Sequence, residues 1–159
     1  MPKRVDRPSV TDALRKFRVI YGCVRQHFRE VEQQCGVSGS QLWILQEIAS
    51  TPGIGVSELA ERLSIHQSTC SQLVEKLTVH GYVVKARSAQ DQRRVGLSLT
   101  DTANTLLATA PGPTEGVFPS ALRALSEAEL SALDHALSMV ISQLRVSDDR
   151  FADQPLADL

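Results

Sequence analysis

The strongest constraint in this chain lies in its middle, where two short helical patterns are followed at once by two strand-like ones. Residues 57–63 and 67–80 both carry apolar side chains at helical spacing, and only Ser64-Ile65-His66 joins them. Over 67–80, Cys70, Leu73, Val74 and Leu77 share one face, whereas Ser68, Ser71, Gln72, Glu75 and Lys76 fall on or near the other. Gly81 supplies a stop. Residues 82–87 and 95–100 then read as two strands separated by the polar stretch 88–94. A two-stranded hairpin is marginal alone, so this one must lean on the helices before it.

The flanks are helical. Leu14, Phe17, Ile20, Tyr21, Val24, Phe28 and Val31 recur at three- and four-residue spacing, which predicts a long helix over about 10–34 ended by Gly36. Ser38 and Gln41 form a capping-box signature for a second helix over 38–49, broken by Thr51-Pro52-Gly53-Ile54-Gly55. A further helix should run from Thr100 to about Ala110, where Pro111-Gly112-Pro113 interrupts it, and Pro119 should interrupt again. Ser126 and Glu129 form another capping box, ahead of Leu130, Leu133, Leu137, Val140, Ile141 and Leu144. The acidic residues after Ser147 read as a frayed tail.

These elements predict a mainly α fold with a small β-hairpin wing: a winged helix-turn-helix lobe plus N- and C-terminal dimerisation helices. The expected division is 1–36 for the N-terminal dimerisation helix, 37–101 for the lobe, 102–146 for the C-terminal dimerisation helices, and 147–159 for a disordered acidic tail. A helix-turn-helix presents its second helix to the major groove, although the same pattern also serves as plain core structure. The following basic hairpin favours the first reading. Between 76 and 94, Lys76, Lys85, Arg87, Arg93 and Arg94 face Asp91 alone, and beyond Thr100 nine carboxylates face three arginines. The formal net charge of −1 therefore conceals a basic middle able to meet phosphate locally.

The candidate DNA-binding residues are His66, Gln67, Ser68, Thr69, Ser71, Gln72, Lys76, Lys85, Arg87, Arg93 and Arg94. Backbone N–H groups near His66 and Gln67 open a helix and form an anion site. Gln72 suits a bidentate contact with adenine, Ser71 and Thr69 suit several bases, and Lys76 suits phosphate. The stripe of Leu14, Phe17 and Ile20 and that of Leu130, Leu133, Leu137, Val140, Ile141 and Leu144 are candidate dimer surfaces, because the lobe has a core of its own. The alternative is that the terminal helices cover each other within one chain.

The segment resembles the MarR family of winged-helix regulators. The matching residues are Val37-Ser38 with Gln41 and Leu45, Ser57-Glu58-Leu59-Ala60, Ser68-Thr69 with Leu73-Val74 and Leu77, Gly81, and Asp91-Gln92-Arg93 ahead of Leu99-Thr100. The resemblance implies that Arg93 lies at the wing tip and approaches the minor groove, while Asp91 fixes the wing. It also implies a repressor that binds pseudo-palindromic operators as a homodimer and is released by a ligand or by oxidation. A small aromatic or anionic effector is expected between the lobe and the helical extensions, with Trp43 and basic residues of the first helix lining the cleft.

Cys23, beside Arg25, is the candidate redox residue. Cys70 reads as core. The three cysteines and four histidines show no zinc spacing, so no metal and no cofactor are expected. No phosphate loop, nucleophile elbow or carboxylate dyad points to an enzyme. A winged-helix module whose main partner is another protein is the competing reading. The longest apolar run, Leu42-Trp43-Ile44-Leu45, is far too short to span a membrane, and Met1-Pro2-Lys3-Arg4 opens no secretory signal. A cytoplasmic location follows as an expectation.

Overall fold

A computed structural model describes residues 9–87, 94–144 and 148–158. Helix α1 (Val10–Cys35) opens on Ser9, whose hydroxyl accepts from the Asp12 N–H at 3.2 Å, and ends at Gly36, where the chain turns left-handed at φ 68°. Helix α2 (Gly39–Ser50) begins with the predicted capping box: Ser38 Oγ accepts from the Gln41 N–H at 3.2 Å, and Gln41 Oε1 accepts from the Ser38 N–H at 2.9 Å. Leu42, Ile44, Leu45 and Ile48 of α2 are all fully buried, which makes α2 the central post of the molecule.

Helices α3 (Val56–Leu63) and α4 (Gln67–Val79) follow the predicted boundaries closely. Ser64, at φ 55° and ψ 43°, ends α3 and turns the chain towards α4. The main core gathers Leu45 and Ile48 from α2, Leu59 and Leu63 from α3, Cys70, Leu73, Val74 and Leu77 from α4, and Val83 and Leu97 from the hairpin. Arg62 of α3 braces this unit from outside, donating to Glu58 at 2.6 Å and to Thr51 Oγ1 at 2.8 Å.

Strands β1 (Val83–Arg87) and β2 (Val95–Leu99) pair antiparallel, with Val83 opposite Leu99 and Arg87 opposite Val95. The loop after α2 supplies what the hairpin lacks. Gly53 N–H donates to the Leu97 carbonyl at 2.8 Å, and Leu97 N–H donates to the Ile54 carbonyl at 2.9 Å. Residues 53–54 thus act as a short third edge along β2, and Ile54 and Leu97 are both buried beneath it.

Helix α5 (Asp101–Thr109) is capped by Thr100, and its Ala103 is fully buried in the lobe core with Leu106 and Leu107 packed beside it. The expected boundary at 101/102 is therefore not a break between cores. Pro111-Gly112-Pro113 separates α5 from α6 (Val117–Arg123), as expected. Pro119 corrects the sequence reading: it lies in the first turn of α6, where a missing N–H costs no intrahelical bond. Helix α7 (Glu127–Ser142) starts at the predicted Ser126–Glu129 capping box and has no buried residue.

The tail is a second correction. Residues Asp149–Asp153 and Leu156–Asp158 form 3-10 turns that lie against the body, because Pro155, Leu156 and Ala157 supply an apolar stretch within the acidic segment. Among the described residues no helix is long and apolar enough to cross a membrane.

Gly96 sits where β2 passes the loop, and a Cβ there would lie 2.8 Å from the Gly53 carbonyl oxygen. Backbone cannot yield as a flexible side chain would. Gly96→Ala should therefore lower stability by about 1–3 kcal/mol, read as a shifted midpoint in urea unfolding.

Candidate nucleic-acid interface

Helix α4 divides as its sequence predicts. Cys70, Leu73, Val74 and Leu77 are buried, while Gln67, Ser68, Ser71, Gln72, Glu75 and Lys76 are exposed and Thr69 is half-buried. The outer face thus offers hydroxyl and amide groups of the kind that read base edges. Arg87 and Arg94 are exposed at the end of the hairpin, flanking residues 88–93. Asp91 and Arg93 lie outside the described residues.

Two candidate contacts are already engaged within the chain. His66 caps α4 with its own ring: Nδ1 accepts from the Ser68 N–H at 3.2 Å and lies 2.7 Å from Ser68 Oγ. The His66 N–H itself donates to the Asp153 carbonyl of the tail at 3.0 Å. The anion site expected at these amides is therefore narrowed to Gln67 and Thr69, whose N–H groups have no acceptor within the helix by geometry. Lys85 Nζ donates to Glu75, which ties β1 to the outer side of α4. An exposed pair of this kind adds little stability and marks where β1 approaches the helix.

Beside this face lies a cavity of about 190 Å³. Val24 and Phe28 of α1, Trp43 of α2, Leu63-Ser64-Ile65 of the helix-turn-helix turn, residues 115–119 and residues 154–157 line it. Trp43 is a wall of this cavity, with its indole N–H donating to Glu47 at 3.2 Å. The basic residues of α1 are not part of it. Arg18, Arg25 and Arg29 border a separate shallow groove on α1, and the Arg25 guanidinium stacks 5.6 Å over the Tyr21 ring. Glu115, the one ionisable side chain in the lining, is paired with Arg123 at 2.7 Å. Sequence reading missed Phe28, Phe118 and the tail as cavity walls. The signal for the last was the apolar Pro155-Leu156-Ala157 within an acidic run.

His27 and Cys70 are packed into the body, and Cys35 is partly so. His27 is buried, with Gly112 close against its ring, and loss of solvent holds its pKa below the ordinary value despite the neighbouring Glu30 charge. Burial also pushes the Cys35 thiol up and the Cys70 thiol to about 11. Cys23 is exposed on α1. At pH 8 only about one Cys70 in a thousand is thiolate, so a thiol reagent should modify Cys23 readily and leave Cys70 intact until the protein unfolds. Peptide mapping by mass spectrometry after native and denatured labelling checks this; native labelling of Cys70 would contradict the packing described.

Residues 36–94 match the sequence model of the MarR family. The chain is 21% identical over 141 residues to the HTH-type transcriptional repressor MdtR of Bacillus subtilis, an alignment covering 89% of this chain and 90% of that protein. Its fold is similar to that of S. aureus MepR in a DNA complex, at a TM-score of 0.56 and 19% identity, covering 86% of this chain and 97% of the other. It is also similar to the Streptomyces coelicolor PcaV transcriptional regulator in complex with its natural ligand, at a TM-score of 0.51 and 22% identity, covering 82% and 89%. The helix-turn-helix and the hairpin wing fall on the segment that matches the MarR family model, and the whole chain shares the winged-helix fold of these similar proteins.

Proposed function

We propose that the protein is a repressor that binds pseudo-palindromic operator DNA as a two-fold homodimer and is released by a small ligand. The observation that carries the DNA-binding reading is the outer face of α4, where Gln67, Ser68, Ser71 and Gln72 are exposed opposite a fully packed inner face, with Arg87 and Arg94 beside them. A positioning role suits the arginines and Lys76, which meet phosphate, and a specifying role suits Ser71 and Gln72. Arg93 and Asp91 keep the wing-tip roles that the family resemblance implies. A purely protein-binding module has no comparable use for this combination of amide, hydroxyl and guanidinium groups.

Dimerisation follows from uncovered apolar surface. Leu14, Phe17 and Ile20 of α1 are 49%, 59% and 41% exposed, and Leu130, Val140, Ile141 and Leu144 of α7 are also exposed, with Leu133 and Leu137 half-buried. The two stripes do not cover each other within the chain. A second copy related by a two-fold axis would bury both and set two recognition helices at half-sites about one helical turn apart.

The cavity supports an apolar, single-ring effector over an anionic one. Among the described residues its lining contains no cationic side chain, and an apolar cavity of roughly 150 Å³ is known to hold benzene. It also favours ligand release over oxidation of Cys23, which lies outside the lining.

Gln72→Ala should lose about 1–3 kcal/mol at one preferred base and relax discrimination there, as measured by competition among base variants of a selected site. Equal weakening on every variant would reassign Gln72 to the backbone. Ile141→Asp places a charge on a position 52% exposed in the single chain, so it should spare folding while dissociating the dimer and abolishing specific binding. Light scattering and gel shift read the two outcomes. An unaltered dimer would remove α7 from the interface.

A further inference from the structure

The C-terminal segment 148–158 touches both the cavity and the recognition helix. Residues 154–157 line the cavity together with Trp43 and Phe28. A few residues to either side, the same segment reaches groups that the DNA-binding reading requires. The Asp153 carbonyl takes the His66 N–H at the start of α4, and Asp153 borders a shallow surface with Gln67. Asp158 accepts from Ser40 Oγ at 3.5 Å, at the start of α2. Loss of solvent raises the Asp158 pKa, and the charge of Lys76 on α4 works against that rise, so this carboxylate and Lys76 attract one another. Asp148, Asp149, Asp153 and Asp158 against Arg150 give this segment a formal charge of −3.

We propose that this segment is an autoinhibitory strap: docked as described, it competes with DNA phosphate for the His66 N–H at the start of α4 and for Lys76 in its last turn, while forming a wall of the effector cavity. The inference rests on α4 being the DNA-reading helix. Phosphate contacts supply most of the non-specific affinity of a protein for DNA, so an acidic strand seated on those groups must be displaced or repelled as the duplex approaches. The carboxylates of Asp153, beside Gln67, and of Asp158, which interacts with Lys76, oppose a duplex that comes within a Debye length, about 8–10 Å at physiological salt, whether or not they touch it. A strap that also walls the cavity makes its docking depend on what the cavity holds. Ligand contact with residues 154–157 favours the docked strap, and DNA favours the released one. The two ligands are then antagonistic by linkage.

The test uses the full chain and a fluorescein-labelled duplex of mixed sequence at low and moderate salt. Asp153→Asn/Asp158→Asn keeps the cavity wall and removes two charges. It should bind several-fold tighter than the wild type at low salt, with the gain shrinking as salt rises. Glu127→Gln/Asp134→Asn makes the same change in net charge on exposed positions of α7, and should gain clearly less. A chain ending at Leu144 should bind at least as tightly as the first variant. It should also leave Trp43, the single tryptophan, more accessible to acrylamide quenching. Equal gains for the two double variants, or none for the tail variant, would overturn the proposal, and the tail variant alone decides should the shortened chain fail to fold. Wild-type protein that binds no duplex at any salt concentration would instead refute the DNA-binding reading itself.

Discussion

The wing is held by two backbone hydrogen bonds, from Gly53 to Leu97 and from Leu97 to Ile54. Two strands of five residues cannot stand alone in water. By lending β2 a third edge, the loop after α2 turns the hairpin into part of the lobe and buries Ile54 and Leu97 in the process. The same bonds hold the hairpin to the loop that leads into α3, while Val83 and Leu97 share a core with Leu73, Val74 and Leu77 and so hold it against α4. Because both tethers are short, the basic end of the hairpin keeps a set distance from the outer face of α4. Sequence recognition by two separate elements depends on that distance.

Much of this arrangement was legible in the sequence because it rests on local rules. The boxes at Ser38 and Ser126, the stop at Gly36, and the division of α4 into buried and exposed faces all follow from residues within a few positions of one another. The failures arose where distant segments meet. Pro119 was read as a break, but a proline in a first turn is tolerated, and only the position of the helix start decides which case applies. The tail was read as free because its charge outweighs its apolar content. Pro155, Leu156 and Ala157 suffice once a groove between α1 and α2 exists to receive them, and no local pattern announces that groove.

The site shows the same division. Exposure of Ser68, Ser71 and Gln72 was implied by helical periodicity alone, whereas the use of the His66 N–H by Asp153 joins residues 87 positions apart in sequence and had no local signature. The expected anionic character of the effector came from placing the arginines of α1 in the cleft. Helix geometry turns Arg18, Arg25 and Arg29 towards a different groove from that of Val24 and Phe28, so charge and cavity occupy different sides of one helix.

Ser64 has a left-handed backbone that most turns of this kind assign to glycine, and a residue with a Cβ pays roughly 1–2 kcal/mol for that conformation. The turn between α3 and α4 therefore holds its backbone against a local conformational cost, which the bonds from the Ser64 and Ile65 N–H groups to the Glu61 and Ala60 carbonyls offset. In a hierarchy of local opening, such a segment exchanges its amide hydrogens ahead of the helices on either side. The angle between the two arms of the helix-turn-helix is thus set across the one non-glycine residue of positive φ among the described residues.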